Sequence, residues 1–292
     1  MSLLIAQITD LHVVADGPGL GLVDTAAHLA AAARCLNEMP RRPDAVVVTG
    51  DLVDAASLPE YRRLAPLLAT IEAPVYLMPG NHDDPAAMAA AFPDHAYLRS
   101  SPGGTYDYVV DLGEVVLIAL DTTIRGAAHG AVGATQLEWL DATLERLAAK
   151  PVLIAMHHPP FETGIWWMDA MGLEGAAELA EVLARHRNAR RVICGHIHRS
   201  VTATVGGAVV SVAPSTGQQI RLDLDGAGAG VTDEQSQLAL HLWTGAGWVS
   251  HETAFRVDRE IDITTQWSGF DQVAAALHAA GPSARKPAPA DR

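Results

Sequence analysis

The chain has 292 residues, 49% of them hydrophobic, with 34 acidic against 20 basic side chains and a formal net charge of −14. Length and apolar content supply one large core, or one domain plus an appendage. A surface this acidic repels polyphosphate backbones, which excludes a dedicated nucleic-acid binder. No uninterrupted apolar run reaches about 18–20 residues, so no membrane-spanning helix is expected.

In chain order, the first apolar run, Leu3 to Ile8, reads as a buried strand. No basic leader precedes it, which points to a cytoplasmic protein. Asp10-Leu11-His12 follows, then a helix from Asp24 to Met39 with Asp24 as its cap. A second strand, Ala45 to Val48, runs into Gly50-Asp51-Leu52-Val53-Asp54. The next helix spans Ser57 to Ile71, with Pro59 in its first turns and a kink expected at Pro66. Strand Val75 to Met78 leads to Gly80-Asn81-His82-Asp83 and a short helix from Asp84 to Phe92. Tyr106 to Asp111 and Val115 to Leu120 form a hairpin around Gly113. Thr135 and Glu138 make a capping-box pair for a helix from Thr135 to Lys150. Strand Val152 to Met156 ends in His157-His158, and a helix runs from Glu174 to His186. Strand Val192 to Cys194 ends in Gly195-His196-Ile197-His198.

Beyond this point short strands dominate: Val201 to Val205, Ala208 to Val212, Gln219 to Leu224, Leu238 to Trp243 and Trp248 to Phe255. Gly226 to Asp233 reads as a mobile loop between them. A βα start and a β-rich end fit two sheets packed face to face with helices outside. The domain then spans residues 1–255. Residues 256–280 read as a helical or oligomer-contact extension and 281–292 as a tail without fixed structure. Cys35 and Cys194 read as buried free thiols of a reducing compartment.

Five clusters thus gather carboxylates, imidazoles and one amide at strand ends, where open α/β sheets place their sites. They supply enough ligands for two cations. Mixed His, Asp and Asn ligands suit manganese, iron, zinc or cobalt. Two such ions, about 3.5–4 Å apart and sharing a carboxylate, can clamp a phosphoryl group and lower the pKa of a bound water.

The order D-x-H, GDxxD, GNHD, H and GHxH, intact between residues 3 and 216, resembles the calcineurin-like metallophosphoesterases. The GDxxD form and the length resemble their bacterial class III cyclic nucleotide phosphodiesterase and glycerophosphodiesterase branch. The resemblance implies a four-layer α/β/β/α sandwich of two packed mixed sheets. It implies a first metal on Asp10, His12 and His198, a bridge at Asp51, and a second metal on Asn81, His157 and His196. The neutral oxygen of Asn81 would make that second site the weaker one. His82 would stand beside the pair and either bind phosphate oxygens or protonate the leaving group. Asp54 stands where purple acid phosphatases carry Tyr, which argues against a tyrosinate-bound ferric ion. Asp54 and Asp83 are expected to orient His ligands, with a helix or turn cap as the alternative for Asp54, and His158 either to support the ligands from behind or to be structural.

The implied activity is hydrolysis of small phosphodiesters by metal-hydroxide attack on phosphorus. Candidate substrates are 3′,5′-cyclic nucleotides, glycerophosphodiesters and related alkyl or aryl diesters. A phosphomonoesterase and a non-catalytic metal-binding scaffold are the alternatives. The loop from Phe161 to Leu173 carries Trp166, Trp167, Met168 and Met171. It either walls a substrate pocket, buries against a second copy in a homodimer or higher oligomer, or simply packs. Arg125 and His129, in the loop from Thr122 to Gly133, are candidate substrate contacts. Pro214 to Gln219 is a candidate lining segment.

Overall fold

A computed structural model describes residues 2–19, 22–99, 104–226 and 228–255. The expectations for residues 256–292 lie outside these. The first third alternates β1 (Leu3–Ile8), α1 (Thr25–Glu38), β2 (Ala45–Thr49), α2 (Leu58–Leu68), β3 (Val75–Met78) and α3 (Pro85–Ala91). The hairpin β4 (Tyr108–Asp111) and β5 (Val116–Leu120) comes next. It is followed by β6 (Gly130–Ala131), α4 (Ala134–Arg146), β7 (Val152–Met156), α5 (Trp166–Asp169), β8 (Leu173–Glu174), α6 (Ala176–Arg185) and β9 (Arg191–Cys194). The last part holds β10 (Val201–Val205), β11 (Ala208–Val212), β12 (Gln219–Ile220), β13 (Val231–Thr232), β14 (Gln237–Trp243) and β15 (Trp248–Ala254).

Two mixed sheets form the core, ordered β15-β14-β1-β2-β3 and β10-β11-β9-β7-β5-β4. β1, β2, β5, β7 and β9 are buried along their whole length, because each lies under a helix layer on one side and the other sheet on the other. α1 packs on α2 and α4 on α6, which completes the α/β/β/α sandwich. The parallel strands stay in step: Ile8 pairs with Val48, Thr49 with Met78, Leu120 with Met156, and Cys194 with Val212. Their C-terminal ends therefore reach one edge of the sandwich together. No helix among the described residues is long and apolar enough to cross a membrane.

Local chemistry sets most helix starts. Asp24 accepts the Ala27 N–H at 3.0 Å and Asp84 the Ala87 N–H at 2.9 Å. Glu60 accepts the Ser57 N–H at 2.9 Å, which closes the first turn of α2. Helix α2 runs through Pro66 to Leu68.

The α4 expectation needs correction. Val132 N–H still bonds to Glu174, one residue before the Gly133 cap, so the helix begins as soon as the β6–β8 ladder releases the chain. Thr135 is then already inside the first turn and caps nothing. The helix ends at Arg146, and tighter turns carry the chain to Lys150, whose following Pro151 disfavours helical backbone. Helix α6 likewise starts later than expected: Leu173 and Glu174 pair with Gly130 and Ala131, and Gly175 turns the chain at φ 80°. The expected strand from Gln219 to Leu224 is only β12. Its ladder closes where Arg221 N–H meets the Gly230 carbonyl, and Asp223 then folds the chain by accepting the Asp225 and Gly226 N–H groups. Part of the expected loop from Gly226 to Asp233 is its partner β13.

Candidate metal centre

The chain leaves β1, β2 and β9 through left-handed backbone. Asp10, His12, Asp51, His196 and His198 have φ values of 51°, 42°, 49°, 73° and 52°. Such a conformation costs roughly 1–2 kcal/mol per residue, and Asp and His tolerate it better than most. Backbone bonds hold the strain in place: Asp10 N–H to Gly50 at 3.1 Å, His12 N–H to Asp51 at 3.0 Å, and Gly195 N–H to His157 at 3.1 Å. Two glycines permit the close approach. A Cβ on Gly80 would lie 2.2 Å from Asp51 Oδ1, and one on Gly50 would lie 2.4 Å from His157 Nδ1.

Two ligand sets converge on one carboxylate. Asp51 Oδ2 lies 3.5 Å from His12 Nε2 and 3.4 Å from His157 Nε2, while Oδ1 accepts the His82 N–H at 2.9 Å. On one side His12 Nε2 faces His198 Nε2 at 3.1 Å, and His198 Nε2 stands 3.4 Å from Asp10 Oδ1. On the other, Asn81 Oδ1 lies 3.1 Å from His157 Nε2 and 3.0 Å from His196 Nδ1. Asp10, His12, Asp51, His157, His196 and His198 are all buried.

The reverse side of each imidazole is fixed by an oxygen that only accepts, so that nitrogen carries the proton. His157 Nδ1 donates to the Thr49 carbonyl at 2.8 Å, His198 Nδ1 to Gln218 at 2.7 Å, and His196 Nε2 to Met171 at 3.1 Å. His12 Nδ1 donates to the Asp54 carboxylate at 3.1 Å. With the rings neutral, as metal ligation requires, four lone pairs point inward at two carboxylates and an amide oxygen; without metal, His157 holds a second proton on Nε2, facing Asp51. Acceptors face acceptors at hydrogen-bond distance, and a cation on each side of Asp51 satisfies all of them. The donor set therefore fits two divalent ions.

Charge within the cluster follows the same geometry. Burial opposes a cation at His157, but Asp51 and Asp10 outweigh it and lift its pKa to about 9. Burial raises Asp10 to about 6. His198 falls to about 4 and His196 far below its ordinary range, both mainly through burial. Both therefore remain neutral at physiological pH, as metal ligation would need.

His158 stands within reach of His157 and His196 but has no free lone pair. Its Nε2 donates to the Ala128 carbonyl at 3.2 Å, and its Nδ1 accepts from the Thr122 hydroxyl at 2.8 Å. Asp54 orients His12 as expected. Asp83 does not touch a ligand histidine. It accepts the Leu52 and Gly80 N–H groups and the Tyr61 hydroxyl, at 3.0, 2.9 and 3.0 Å, and so ties the Asp51 loop to the Asn81 loop. His82 is partly exposed, with Nδ1 donating to the Asp54 carbonyl at 2.7 Å and its ring edge-on to His12 at 4.6 Å.

A cleft of about 470 Å³ adjoins the centre at His196, with Phe161, Met168, His129 and Glu174 in its walls. Of the residues expected to wall or touch a pocket, Met168 and His129 line it, the latter 3.2 Å from Glu174, whereas Trp166, Trp167, Met171 and Arg125 do not. Trp166 is 52% exposed and turned toward Gly226. Trp167 packs on the core, and so does Met171, whose carbonyl fixes His196. Arg125 extends into solvent beside Asp84. The segment from Pro214 to Gln219 supports the site from behind: Ser215 Oγ donates to the Asp10 carbonyl at 2.8 Å, and Gln218 holds His198. The sequence reading missed Thr49, Met171 and Tyr61 as supports. The first two act through backbone carbonyls, which carry no sequence signature.

A family model described as calcineurin-like phosphoesterase matches residues 3–200. The glycerophosphodiester phosphodiesterase GpdQ of Enterobacter lignolyticus is 29% identical over 86% of this chain and 90% of its own length. The 3′,5′-cyclic adenosine monophosphate phosphodiesterase CpdA of Escherichia coli K12 is 33% identical over 74% of this chain and 77% of its own. A dimetal phosphatase from Danio rerio superposes with a TM-score of 0.61 at 16% identity, covering 87% of this chain and 99% of that one, a likeness of fold.

The support given to His12 by Asp54 generates a first prediction. Asp54→Ala frees the His12 ring and should weaken metal binding on the His12 side about 10–100-fold, with the fold intact. Metal titration followed by calorimetry reads this directly. An unchanged affinity would mean that the carboxylate does not position the ligand.

Proposed function

The chain belongs to the calcineurin-like phosphoesterase family, and from that premise we propose that it is a dinuclear metal-dependent phosphodiesterase acting on small phosphodiesters. The observation that carries this reading is the single oxygen, Asp51 Oδ2, shared between two converging ligand sets. We assign Asp10, His12 and His198 to one ion, Asn81, His157 and His196 to the other, and Asp51 to both. When bound, the cations supply the positive charge that polarises a phosphoryl group and activates water for in-line attack. Mn, Fe, Zn and Co all suit this donor set.

The chain's own residues do the rest. Left-handed backbone and the oxygens behind the rings hold the ligands rigid. Because Nδ1 of His82 is engaged by the Asp54 carbonyl, Nε2 is its exchangeable position and donates a proton to the departing alkoxide. The cleft beside His196 receives the organic part of the diester, which in a cyclic nucleotide stays bonded to phosphorus through its second ester oxygen. Its Phe161 and Met168 walls favour a nucleoside over glycerol, so cyclic nucleotides head the substrate order. Free Cys35 and Cys194 are consistent with a cytoplasmic setting. We assign the exposed Trp166, Leu222 and Leu224 to a homodimer contact. Turnover of cyclic AMP, a glycerophosphodiester, an aryl diester and an aryl monoester tests the reading as a whole. Faster turnover of the monoester than of any diester would overturn it.

The shared carboxylate gives a second prediction. Manganese-loaded protein should hold two ions per chain, and chelation should abolish turnover reversibly. Asp51→Asn should weaken both ions, whereas Asn81→Ala should weaken mainly the one beside His157. Full activity at one ion per chain would refute the two-ion assignment.

For His82→Ala, both ions should remain. Turnover should fall about 10²–10⁴-fold for nucleoside leaving groups and much less for nitrophenol, which departs without a proton. Equal losses would instead make His82 a phosphate-positioning group.

Finally, Trp166→Glu should halve the mass measured by light scattering without altering turnover of an aryl diester. An unchanged mass would remove this patch from any subunit contact.

A further inference from the structure

A second cleft, of about 560 Å³, lies at the other end of the sandwich, at the N-terminal ends of β7, β9 and β11. β7 alone separates Pro151 at this cleft from His157 at the metal centre, roughly 20 Å of extended chain. Its chemistry is opposite to that of the whole surface. Lys150, Arg187, Arg190 and Arg191 line it together with Trp243 and Trp248, and no carboxylate among the described residues lines it, in a chain of net charge −14.

The four cations are not equally engaged. Lys150 pairs with Asp111 at 2.6 Å, so much of its charge is already answered. Arg190 Nη1 donates to the Gly207 carbonyl at 2.9 Å. Arg187 is exposed, with no hydrogen bond or ion pair among the described residues. Arg191 is only 7% exposed. Its Nη2 donates to Ser211 Oγ at 2.9 Å and Ser250 Oγ at 2.5 Å and meets His241 Nδ1 at 3.4 Å, while its Nε is buried and has no partner among the described residues. No carboxylate among the described residues pairs with it. Buried guanidinium groups are as a rule paired, so a guanidinium with no carboxylate beside it among the described residues leaves positive charge at this cleft for an anion to answer. The rings of Trp243 and Trp248 lie 5.4 Å apart, tilted by 56°, and give the same cleft an aromatic wall.

We propose that this cleft binds a small anion carrying an aromatic ring, of the nucleoside monophosphate class, with its phosphate on the arginines and its base against the tryptophans. Arginine forks match phosphate oxygens, aromatic faces accept a base, and the volume lies in the range of small-ligand sites. The site is separate from the metal centre, so a failure here leaves the phosphodiesterase reading untouched, and the reverse.

Adenosine monophosphate is the probe, titrated by calorimetry into metal-loaded full-length protein. Because the metal centre can also take a phosphate, the comparison is with R187E/R190E, whose substitutions lie far from that centre. The wild type should show a binding class that the double variant weakens about ten-fold or more, with turnover of an aryl diester unchanged in both. Adenosine and inorganic phosphate should each bind that class far more weakly than the monophosphate. Trp248→Leu is the second variant, which keeps the test valid should the double charge reversal reduce turnover. It should weaken binding of the monophosphate but not of inorganic phosphate. Identical titrations for wild type and R187E/R190E, or adenosine binding as tightly as its monophosphate, would overturn the proposal.

Discussion

The organisation of this protein depends on one electrostatic constraint: Asp51 must stay ionised while buried between two groups of imidazoles. Its Oδ2 faces His12 and His157 at 3.5 and 3.4 Å, and its Oδ1 is tied to the His82 N–H. Burial works against this charge, and His157 and His12 overcome it, holding the carboxyl well below its usual range. Cations on either side satisfy the same charge more completely. Every other feature of the centre serves to hold acceptors close together that would otherwise repel.

That holding force comes from rigid backbone. Five of the seven proposed ligands sit in left-handed conformations, a concentration of strain that persists only when the surroundings over-determine it. Here the surroundings are two sheets whose parallel strands end in register, glycines that let loops touch, and Asp83 binding two of those loops together. The lone pairs are aimed by three carbonyls and one carboxylate behind the rings. Mobile side chains in their place would leave tautomer and direction to chance.

The space between the sheets is not wholly apolar. Arg191 donates to Ser250, whose hydroxyl meets His241 Nδ1 at 2.8 Å. His241 Nε2 meets Gln7 Oε1 at 3.0 Å, and Gln7 Nε2 donates to Thr49 Oγ1 at 2.8 Å. Thr49 in turn accepts from His157. The row of polar groups therefore runs from the basic cleft to a proposed metal ligand. Burial keeps His241 neutral, with its pKa pushed down to about 3, so one nitrogen accepts while the other donates. Apart from Arg191 Nε the members of this row are paired, and paired polar networks fix one packing of two sheets where an apolar interface would allow several.

The local pattern of the sequence determined which segments are strands and which residues carry the chemistry. Apolar runs such as Val152–Met156 have only one way to be buried, and Asp, His and Gly at their ends carry both the donor groups and the backbone freedom of a site. The capped starts at Asp24 and Asp84 were legible for the same reason, since the signal lies within four residues. What the sequence could not supply was whatever depends on distant partners. The β6–β8 ladder carries the chain as far as Val132, so the helix starts at Ala134, ahead of the Thr135 cap. The carbonyls of Thr49, Met171 and Gln218 have no residue signature, so their task behind the histidines appears only once loops meet. Trp166 and Met168 are two residues apart, yet one faces solvent and the other a cleft, because a turn of helix at Trp166–Asp169 points them to different sides. Composition gives a uniformly acidic chain. Only the tertiary structure gathers Arg187, Arg190 and Arg191 beside two tryptophans of another strand pair, because long-range strand order, not local sequence, decides which ends become neighbours.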